Sequence, residues 1–462
     1  MNIEIRGVNF VNKGAELMLL AVVQALQGRS GLGALAVSMG IGHADRVAVL
    51  NLHRMLSLRR LGRLRNLPAQ LTPKPLRSRL RLLAESEIDV VLDASGFLYS
   101  DQWGAASAAD AARLYERLSR RGKKIVLLPQ AFGPFESKAV RKAVRSIVRS
   151  CRLVYARDKV SYDHLRFICG EAPALRQAPD FTNMLGGRLP ANIDEVRGKA
   201  CIIPNYRMLD KTDASTAAAY VTFLVKAVEA LQRRGIGSYV LIHETKEDGL
   251  LVEQLKQGLG RPLPVIEEQD SLAIKGLIGQ SSVAVGSRYH GLVSALAQDV
   301  PCIATGWSHK YQLLFEEYGR PTWLVAPERE VDVDALFEPL VTRPQRDEHV
   351  AHLAQINAAR KSAVDAMWRE VRETLLNPAR GPSLRHRSDL GDEGGRVLGR
   401  DLRHTPGVRL DAAAAEPDDD VRPRLRGAHG LRDVARAMIN AVRSGAPKPV
   451  LDVAGLREFA TL

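Results

Sequence analysis

The residues best suited to chemistry follow a short apolar run that ends at Gly286. The run predicts a buried strand, so the residues after it should lie at the carboxyl end of that strand. Ser287 is expected to cap the helix that follows, and Arg288 and His290 to lie in its first turn. A guanidinium fork and an imidazole beside a helix N-terminus suit a carboxylate or a phosphate.

A second apolar run is followed closely by Ser308, His309 and Lys310, so another cationic group should reach the same edge of the sheet. Taken singly, each of these residues is explained as well by a surface salt bridge or by an ordinary position at a helix start. Because Arg288, His290 and Lys310 converge from neighbouring strand ends, we predict that they form a site for a small anion.

These strands belong to a longer alternation of short β-rich runs and helical stretches, which predicts βαβ units with parallel strands. The predicted strands are Ile3 to Val8, Val90 to Asp93, Ile125 to Leu128, Leu153 to Tyr155, Ala200 to Ile203, Tyr239 to Ile242, Val283 to Val285 and Cys302 to Ala304. The predicted helices are Ala15 to Leu26, Ala106 to Arg120, Ser137 to Ser150, Ala217 to Arg233, Leu250 to Gly258 and Val350 to Leu376. The pattern favours an α/β fold of two Rossmann-like domains facing a cleft, a glycosyltransferase-B-like arrangement.

Glycines and a proline between Gly186 and Gly198 interrupt the pattern and predict a hinge there. We therefore expect an N-terminal Rossmann-like domain over residues 1–187 and a C-terminal one over residues 188–377, which would hold the anion site. Residues 378–462 are rich in Gly, Pro, Arg and Asp, and they are expected to be a partly disordered, low-complexity tail that ends in a short helix.

The net charge of +14 is concentrated in one stretch, residues 46–84, which has ten basic residues and no acidic one. Interleaved leucines make this stretch a basic amphipathic excursion from the first domain, able to rest on anionic lipid or on a polyanionic glycan. Nucleic acid would fit such a surface too, although it is not the favoured partner, and a solvated excursion without any partner explains the pattern equally well. The basic residues are Arg46, Arg54, Arg59, Arg60, Arg63, Arg65, Lys74, Arg77, Arg79 and Arg81.

Cysteine spacing and hydropathy narrow the class of protein. The four cysteines are scattered without CxxC spacing, which indicates free thiols in a reducing compartment rather than disulfides or a zinc site. Charged residues at Glu4 and Arg6 interrupt the first apolar run, and we find no uncharged apolar stretch of about 18 residues. A cytoplasmic protein is expected, with peripheral contact to the inner membrane face through the basic stretch.

Further motifs accompany the pattern Arg288-x-His290, Pro301 and Lys310 in a fixed order along the chain. They are Asn12-Lys13-Gly14-Ala15-Glu16, Pro129-Gln130-Ala131-Phe132-Gly133-Pro134, Ala156-Arg157-Asp158-x-x-Ser161 and Ala178-Pro179-Asp180-Phe181. The ordered set resembles the polysaccharide pyruvyltransferase family over about residues 1–375. Where that family commonly has three consecutive glycines after a strand, this chain has Asp93-Ala94-Ser95-Gly96 and keeps one glycine for close backbone approach.

The resemblance implies transfer of pyruvate from phosphoenolpyruvate to hydroxyls of a hexose, with formation of a ketal and release of phosphate. Arg288 and Lys310 would hold the two anionic groups of this donor, and His290 would act as acid or stabilise the leaving phosphate. Ketal formation of this kind requires no metal and no cofactor besides the donor itself. The resemblance also implies substrate contacts for Ser287, Asn12, Lys13, Gly14, Gly96, Arg157 and Asp158.

The opposite wall of the site should supply a base for the sugar hydroxyl. Asp101 is the first choice for that base, and Trp103 beside it could stack on a sugar face or simply pack. His243 and Glu244, which follow a predicted strand, are further candidates. The acceptor would be a hexose of an envelope or exported polysaccharide, or of a lipid-linked glycan.

Two other functions remain open from the sequence. A glycosyltransferase of the two-Rossmann type would use the same basic strand ends to bind the diphosphate of a nucleotide sugar. A non-catalytic binder of polyanions or membranes would depend instead on the surface from Arg46 to Arg81.

Overall fold

The computed structural model describes residues 1–56, 69, 72–191, 193–242 and 246–377, and it contains two parallel β-sheets. The first sheet has the order β4-β3-β2-β1-β5-β6-β7-β8 and the second β11-β10-β9-β12-β13. The first sheet consists of β1 (Ile3–Arg6), β2 (Leu35–Ser38), β3 (His53–Met55), β4 (Leu82–Leu83), β5 (Val90–Asp93), β6 (Lys124–Gln130), β7 (Leu153–Ala156) and β8 (Leu175–Gln177). The second consists of β9 (Ala200–Ile203), β10 (Ser238–Ile242), β11 (Val265–Glu267), β12 (Val283–Gly286) and β13 (Cys302–Ala304).

Helices connect successive strands, as parallel pairing requires. Those connected with the first sheet are α1 (Lys13–Leu26), α2 (Ala44–Val49), α3 (Lys74–Arg79), α4 (Gly104–Arg120), α5 (Lys138–Ser150) and α6 (Lys159–Cys169). Those that follow are α7 (Arg207–Asp210), α8 (Ala214–Arg233), α9 (Lys246–Leu259), α10 (Ser271–Gly279), α11 (Tyr289–Leu296), α12 (His309–Glu317), α13 (Val333–Val341) and α14 (Gln345–Leu376).

Side-chain caps fix where the helices near the strand ends begin. The Asn12 carboxamide accepts from the Ala15 amide at 3.0 Å at the start of α1. The Asp158 carboxylate accepts from the Ser161 amide at 2.7 Å at the start of α6. Each cap satisfies an amide that has no partner within its own helix, which fixes the residue at which each helix begins.

Each sheet is buried on both faces, which explains the continuous apolar runs in its strands. All seven residues of β6 and all four of β12 are buried. The long helix α14 spans the two cores: Leu353 packs with the second sheet, whereas Trp368 and Val371 pack with the first. The second half of α14 therefore belongs physically with the first sheet, although the predicted boundary at 187/188 would assign it to the second domain.

The α/β class and the eight strands predicted from sequence are present, with bounds shifted by up to two residues. Five strands were not predicted, and they are short or lie at the sheet margins: β2, β3, β4, β8 and β11. Two of them, β3 and β4, fall within the basic stretch 46–84 and extend the edge of the first sheet. That stretch is therefore not wholly an excursion from the domain.

Several basic residues of the stretch form bonds inside the protein. Arg46 pairs with Glu16 at 2.5 Å, and Arg77 pairs with Glu87 at 3.0 Å. Residues 57–68, 70 and 71 of this stretch lie outside the described residues, as do His243, Glu244 and the whole tail from residue 378. The predictions made for them stay predictions.

Among the described residues, one helix, α8, has the length and apolar character that could cross a membrane. Its side chains Tyr220, Phe223, Leu224 and Val228 are buried in the core of the second sheet. Asp213 caps its start. Its apolar character is thus explained by packing on that sheet.

Candidate functional site

The N-terminus of α1, beside the first sheet, meets residues that belong to the second sheet. The Lys13 ammonium donates to the Gln269 carbonyl at 2.8 Å, and the Arg46 guanidinium donates to the same oxygen at 2.6 Å. Gly14 lies so close to His290 that a methyl group in place of its hydrogen would fall 2.0 Å from Nδ1. These contacts bring the carboxyl edges of the two sheets together around His290.

His290 lies in the first turn of α11 and is half-buried. Its Nε2 is buried and has no hydrogen-bond partner among the residues that the structure describes. Burial lowers the pKa of His290 to about 4; Asp180 opposes this, while Arg157, Lys310 and Lys275 favour it. The imidazole is therefore neutral at pH 7 with the charges of the protein alone.

Arg157 follows β7 and forms a buried ion pair with Asp180, with 3.4 Å between Nη1 and Oδ2. Its guanidinium also lies 4.7 Å from the centre of the Tyr289 ring. Although burial opposes it, the neighbours Tyr289, Asp180 and Asp158 raise the pKa of Arg157 above its usual value. Burial alone would raise the pKa of Asp180, but Arg157 and His290 hold it below its ordinary value. The pair is charged at neutral pH.

Lys310 extends from the start of α12 into a group of aromatic rings. Its ammonium lies 4.6 Å from the centre of the Trp307 ring, 5.2 Å from Tyr289 and 5.4 Å from Tyr311. Such contacts stabilise a cation at low dielectric. Tyr289 thus has the Lys310 ammonium and the Arg157 guanidinium on its ring and contacts the His290 ring at 5.4 Å.

Arg288 does not join this group. One of its terminal nitrogens, Nη2, binds both oxygens of Asp248, at 2.7 and 2.6 Å. Asp248 is fully buried and also accepts from the Tyr206 amide at 3.0 Å. A carboxylate of the protein therefore occupies a part of the fork that we expected to face an anionic ligand.

Ser287 does not cap α11, contrary to the sequence prediction. The N-cap position is taken by Arg288, and the Ser287 side chain turns inward. Its hydroxyl donates to the Tyr220 oxygen at 2.9 Å and lies 2.6 Å from the Thr305 hydroxyl. A fully buried hydroxyl needs such partners, and here they tie β12 to β13 and α8. Ser287 thus stabilises the packing of the elements that carry the site.

The predicted contacts at the start of α1 have structural partners. Asn12 caps the helix, and Lys13 is buried, donating to the carbonyls of Phe10 and Gln269. Asp158 likewise caps α6 through the Ser161 amide and hydroxyl. These three polar residues hold the two edges in position, whereas Gly14 contacts His290 and Arg157 contacts the Tyr289 ring.

The loop after β5 contacts the start of α12. Gly96 has a left-handed φ of +71°, and its carbonyl accepts from the Ala131 amide at 2.9 Å, which joins the ends of β5 and β6. Trp103 is 51% exposed and contacts the Phe97 ring at 6.5 Å. Phe97 in turn contacts His309 at 6.3 Å, so an aromatic strip leads from the first sheet to the second.

Asp101, the base predicted for the sugar hydroxyl, accepts hydrogen bonds from two backbone amides. One is the Glu136 amide, and the other is the Ser137 amide at 3.1 Å. Both carboxylate oxygens are thus used to hold the loop before α5. This geometry fits a residue that positions the loop, and its predicted role as a base has no support from these contacts.

The sequence did not identify three residues that lie around His290: Asp180, Tyr289 and Lys275. Asp180 was recognised as part of a motif but not as the partner of Arg157, because 23 residues separate them in the chain. Tyr289 lies between Arg288 and His290, which were both predicted to belong to the anion site. Lys275 is fully buried and donates to the Thr182 carbonyl at 2.9 Å. A charged residue within the apolar helix α10 was the available signal.

Within the described ranges, no three His, Cys, Asp or Glu side chains are grouped so that they could hold a metal ion. The cationic groups near His290 are Arg157, Lys310 and Lys275. They can stabilise negative charge on a ligand through electrostatic attraction. The arrangement suits a small dianion held beside a neutral imidazole.

Comparison with known proteins agrees with this organisation. Residues 12–309 match the family model described as polysaccharide pyruvyl transferase, whereas no curated protein sequence matches the chain. The structure is similar to that of HepE from Anabaena in complex with UDP-glucose, with a TM-score of 0.52 and 14% identity over 81% of this chain and 99% of that one. It is also similar to the UDP-GlcNAc 2-epimerase from Neisseria meningitidis bound to UDP-GlcNAc, with a TM-score of 0.52 and 9% identity over 81% and 100%. At such identities the likeness shows the fold alone, and it confirms the glycosyltransferase-B-like arrangement.

Proposed function

Because the chain belongs to the polysaccharide pyruvyl transferase family, we propose that it transfers pyruvate from phosphoenolpyruvate to two hydroxyls of a hexose. The acceptor is a sugar of an envelope or exported polysaccharide, or of its lipid-linked precursor. The products are a cyclic pyruvate ketal and inorganic phosphate. No metal or further cofactor takes part.

The observation that carries the proposal is the surroundings of His290. Within the described part of the chain its buried Nε2 has no hydrogen-bond partner, and Arg157, Lys310 and Lys275 are cations that lower its pKa. A buried polar atom without a partner costs about 1–3 kcal/mol, so an unpaired Nε2 points to a role in binding or catalysis. Phosphoenolpyruvate carries a carboxylate and a phosphate on three carbons, which matches several cations around one imidazole.

The proposed reaction transfers one proton to a carbon atom of phosphoenolpyruvate and releases one phosphate. A proton adds to the methylene of phosphoenolpyruvate and makes it a methyl group, and positive charge develops at the central carbon. The first sugar hydroxyl attacks that carbon and loses its proton. The bond from the central carbon to the phosphate oxygen then breaks, the second hydroxyl closes the ring, and its proton leaves with the phosphate.

His290 is the proposed acid for the first of these steps. With the protein charges alone its pKa is about 4. A dianion bound beside it raises that pKa, because negative charge favours the imidazolium form. Donor binding therefore brings a proton to His290 at the point where the methylene needs one, and a bound proton is expected only when the donor is present.

Arg157 and Lys310 are the proposed donor-binding cations. Arg157 is held in a fixed orientation by Asp180 and by the Tyr289 ring, at 3.4 and 4.7 Å. Lys310 lies on three rings and is held as a point charge. A preorganised cation costs little to reorient when charge develops, which favours the transition state. Arg288 is a weaker candidate than the sequence indicated, because it holds both oxygens of Asp248 at 2.7 and 2.6 Å, closer than the 3.4 Å between Arg157 and Asp180.

The acceptor is proposed to enter along the strip formed by Trp103, Phe97 and His309. An exposed indole gives a flat apolar face that suits a sugar ring, and its neighbours lead inward to the start of α12. The base for the hydroxyl remains a prediction, with Asp101, His243 and Glu244 as the candidates from sequence. The contacts of Asp101 with two backbone amides weaken the case for Asp101.

The test is release of phosphate from phosphoenolpyruvate by the purified chain with lipid-linked glycans, with the product examined for a new ketal methyl signal. We expect release to require the glycan and to fall at least about 100-fold in His290→Gln. Turnover of a UDP-sugar in place of phosphoenolpyruvate would favour the glycosyltransferase alternative and refute the proposal. Vesicle binding without any turnover would favour the non-catalytic alternative.

A further inference from the structure

Helices α5 and α6 form a basic outer surface on the first sheet, distinct from the stretch 46–84. Helix α5 contains Lys138, Arg141, Lys142, Arg145 and Arg149 and no acidic residue. Its apolar face is buried, with Val140, Val144 and Ile147 at 0–1% exposure. Its basic side chains must therefore lie on the opposite, solvent-facing side, and Lys142, Arg145 and Arg149 are exposed.

Helix α6 adds exposed apolar groups beside these cations. Phe167 is 85% exposed and Val160, seven residues earlier on the same helical face, is 36% exposed. The Arg145 Nε donates to the Ile168 carbonyl at 2.6 Å. Burial raises the pKa of the Cys169 thiol to about 11, and the nearby charges of Arg145 and Arg149 oppose this shift. The cations of α5 therefore lie directly beside the end of α6 that carries Phe167. We call Lys142, Arg145, Arg149, Val160 and Phe167 the α5–α6 surface.

Acidic groups on α6 and just after it do not cancel this charge. Asp163 pairs with Lys159 at 2.6 Å, and Glu171 pairs with Arg166, so each acidic group is balanced on its own segment. The five basic residues of α5 then remain as net positive charge. Charge alone does not explain why the phenyl ring of Phe167 is exposed beside this basic surface.

We propose that the α5–α6 surface binds the anionic headgroups of a lipid bilayer, with Phe167 inserted at the boundary between headgroups and acyl chains. Basic residues on one side of a helix pair and an exposed aromatic ring are the combination that holds a protein on an anionic interface. A polyanionic glycan could use the cations and stack one sugar on the phenyl ring, but it would gain nothing from the aliphatic Val160 on the same helical face. The bilayer is therefore favoured as the occupant.

The position of this surface relates it to the site. Both helices begin at the carboxyl edge of the first sheet, and Asp158 caps the start of α6. Phe167 lies nine residues after that cap, about 13 Å along the helix axis. A bilayer under the α5–α6 surface would thus lie within reach of a lipid-linked glycan entering the site. Membrane binding itself does not depend on the proposed chemistry.

The experiment is sedimentation of the full chain with vesicles of phosphatidylcholine alone or with about one third phosphatidylglycerol. We expect binding to the anionic vesicles alone, and its loss in about 1 M salt, where screening is strong. The change Lys142→Glu/Arg149→Glu should weaken binding at least about 25-fold, because each cation near an anionic surface contributes about five-fold. Phe167→Ser should weaken it about ten-fold.

A matched control reverses two exposed charges elsewhere, Lys226→Glu/Arg197→Glu, with the same change in net charge. The proposal is overturned if this control loses as much vesicle binding as the surface variant, or if the wild type binds neither kind of vesicle. Binding to a soluble polyanionic glycan in place of vesicles would overturn it too. Phosphate release with a soluble acceptor should be unchanged in the surface variants, which separates this proposal from the proposed function.

Discussion

Replacing Gly14 by alanine changes one methyl group at the contact between the two sheets. Gly14 is the second residue of α1, and a methyl group there would lie 2.0 Å from His290 Nδ1 and 2.5 Å from Cγ and Cε1. The ring would have to move by about 1.4 Å to restore an ordinary contact of 3.4 Å. Since a misplacement of about 1 Å can cost 100-fold in rate, we expect kcat/KM for phosphoenolpyruvate to fall by at least that factor.

The stability of this variant should change much less than its activity. Alanine is favoured over glycine in a helix by about 1 kcal/mol, which offsets part of the cost of displacing the ring. A control is Gly249→Ala in α9, where the added methyl would meet no atom of the described residues within 4 Å. The control should keep wild-type kcat/KM, measured by phosphate release, with equal or higher stability toward urea. Wild-type kcat/KM in a folded Gly14→Ala protein would refute the assignment of His290 as the acid.

Three further results are expected. Because the pKa of His290 is lowered to about 4 in the fold, the unfolded chain binds more protons between pH 4 and 6.5, so the free energy of unfolding should fall as pH drops through this window. The loss should be at most about 3 kcal/mol and absent in His290→Gln, measured by urea unfolding. Asp180→Asn leaves Arg157 buried without its carboxylate, and should lower the free energy of unfolding by about 3–5 kcal/mol. Lys310→Met should raise the Kd for phosphoenolpyruvate about 10- to 100-fold in calorimetry, with stability nearly unchanged; an unaltered Kd would exclude Lys310 from donor binding.

The long apolar runs made much of the fold predictable. Strands such as Ala200–Ile203 and Cys302–Ala304 have the predicted bounds, because a strand buried on both faces must be apolar throughout. The strands that were not predicted are short. His53–Met55 and Leu82–Leu83 lie in the stretch 46–84, whose many basic residues favoured an amphipathic surface over strands. Sequence patterns also gave no sign that α14 returns to the first core, since that depends on tertiary packing.

The site was predictable by element but not by side-chain direction. His290 and Lys310 belong to the same group of contacts, as their strand ends indicated. Arg288 turns to Asp248, a residue 40 positions away that no local pattern connects with it. The pairing of Arg157 with Asp180 is equally invisible in the sequence, because it joins two turns that meet only when the sheet has formed. The order of the motifs thus predicted where the site lies. The positions of the buried carboxylates of Asp180 and Asp248 determine how the arginines are oriented.

The most direct measurement is the reaction of phosphoenolpyruvate with a glycan acceptor in D2O, followed by NMR of the product methyl. If the imidazole of His290 delivers a solvent-derived proton to the methylene, the ketal methyl will carry one deuterium, and His290→Gln will form almost no ketal while remaining folded. A ketal methyl free of deuterium, or full turnover by His290→Gln, would contradict the account.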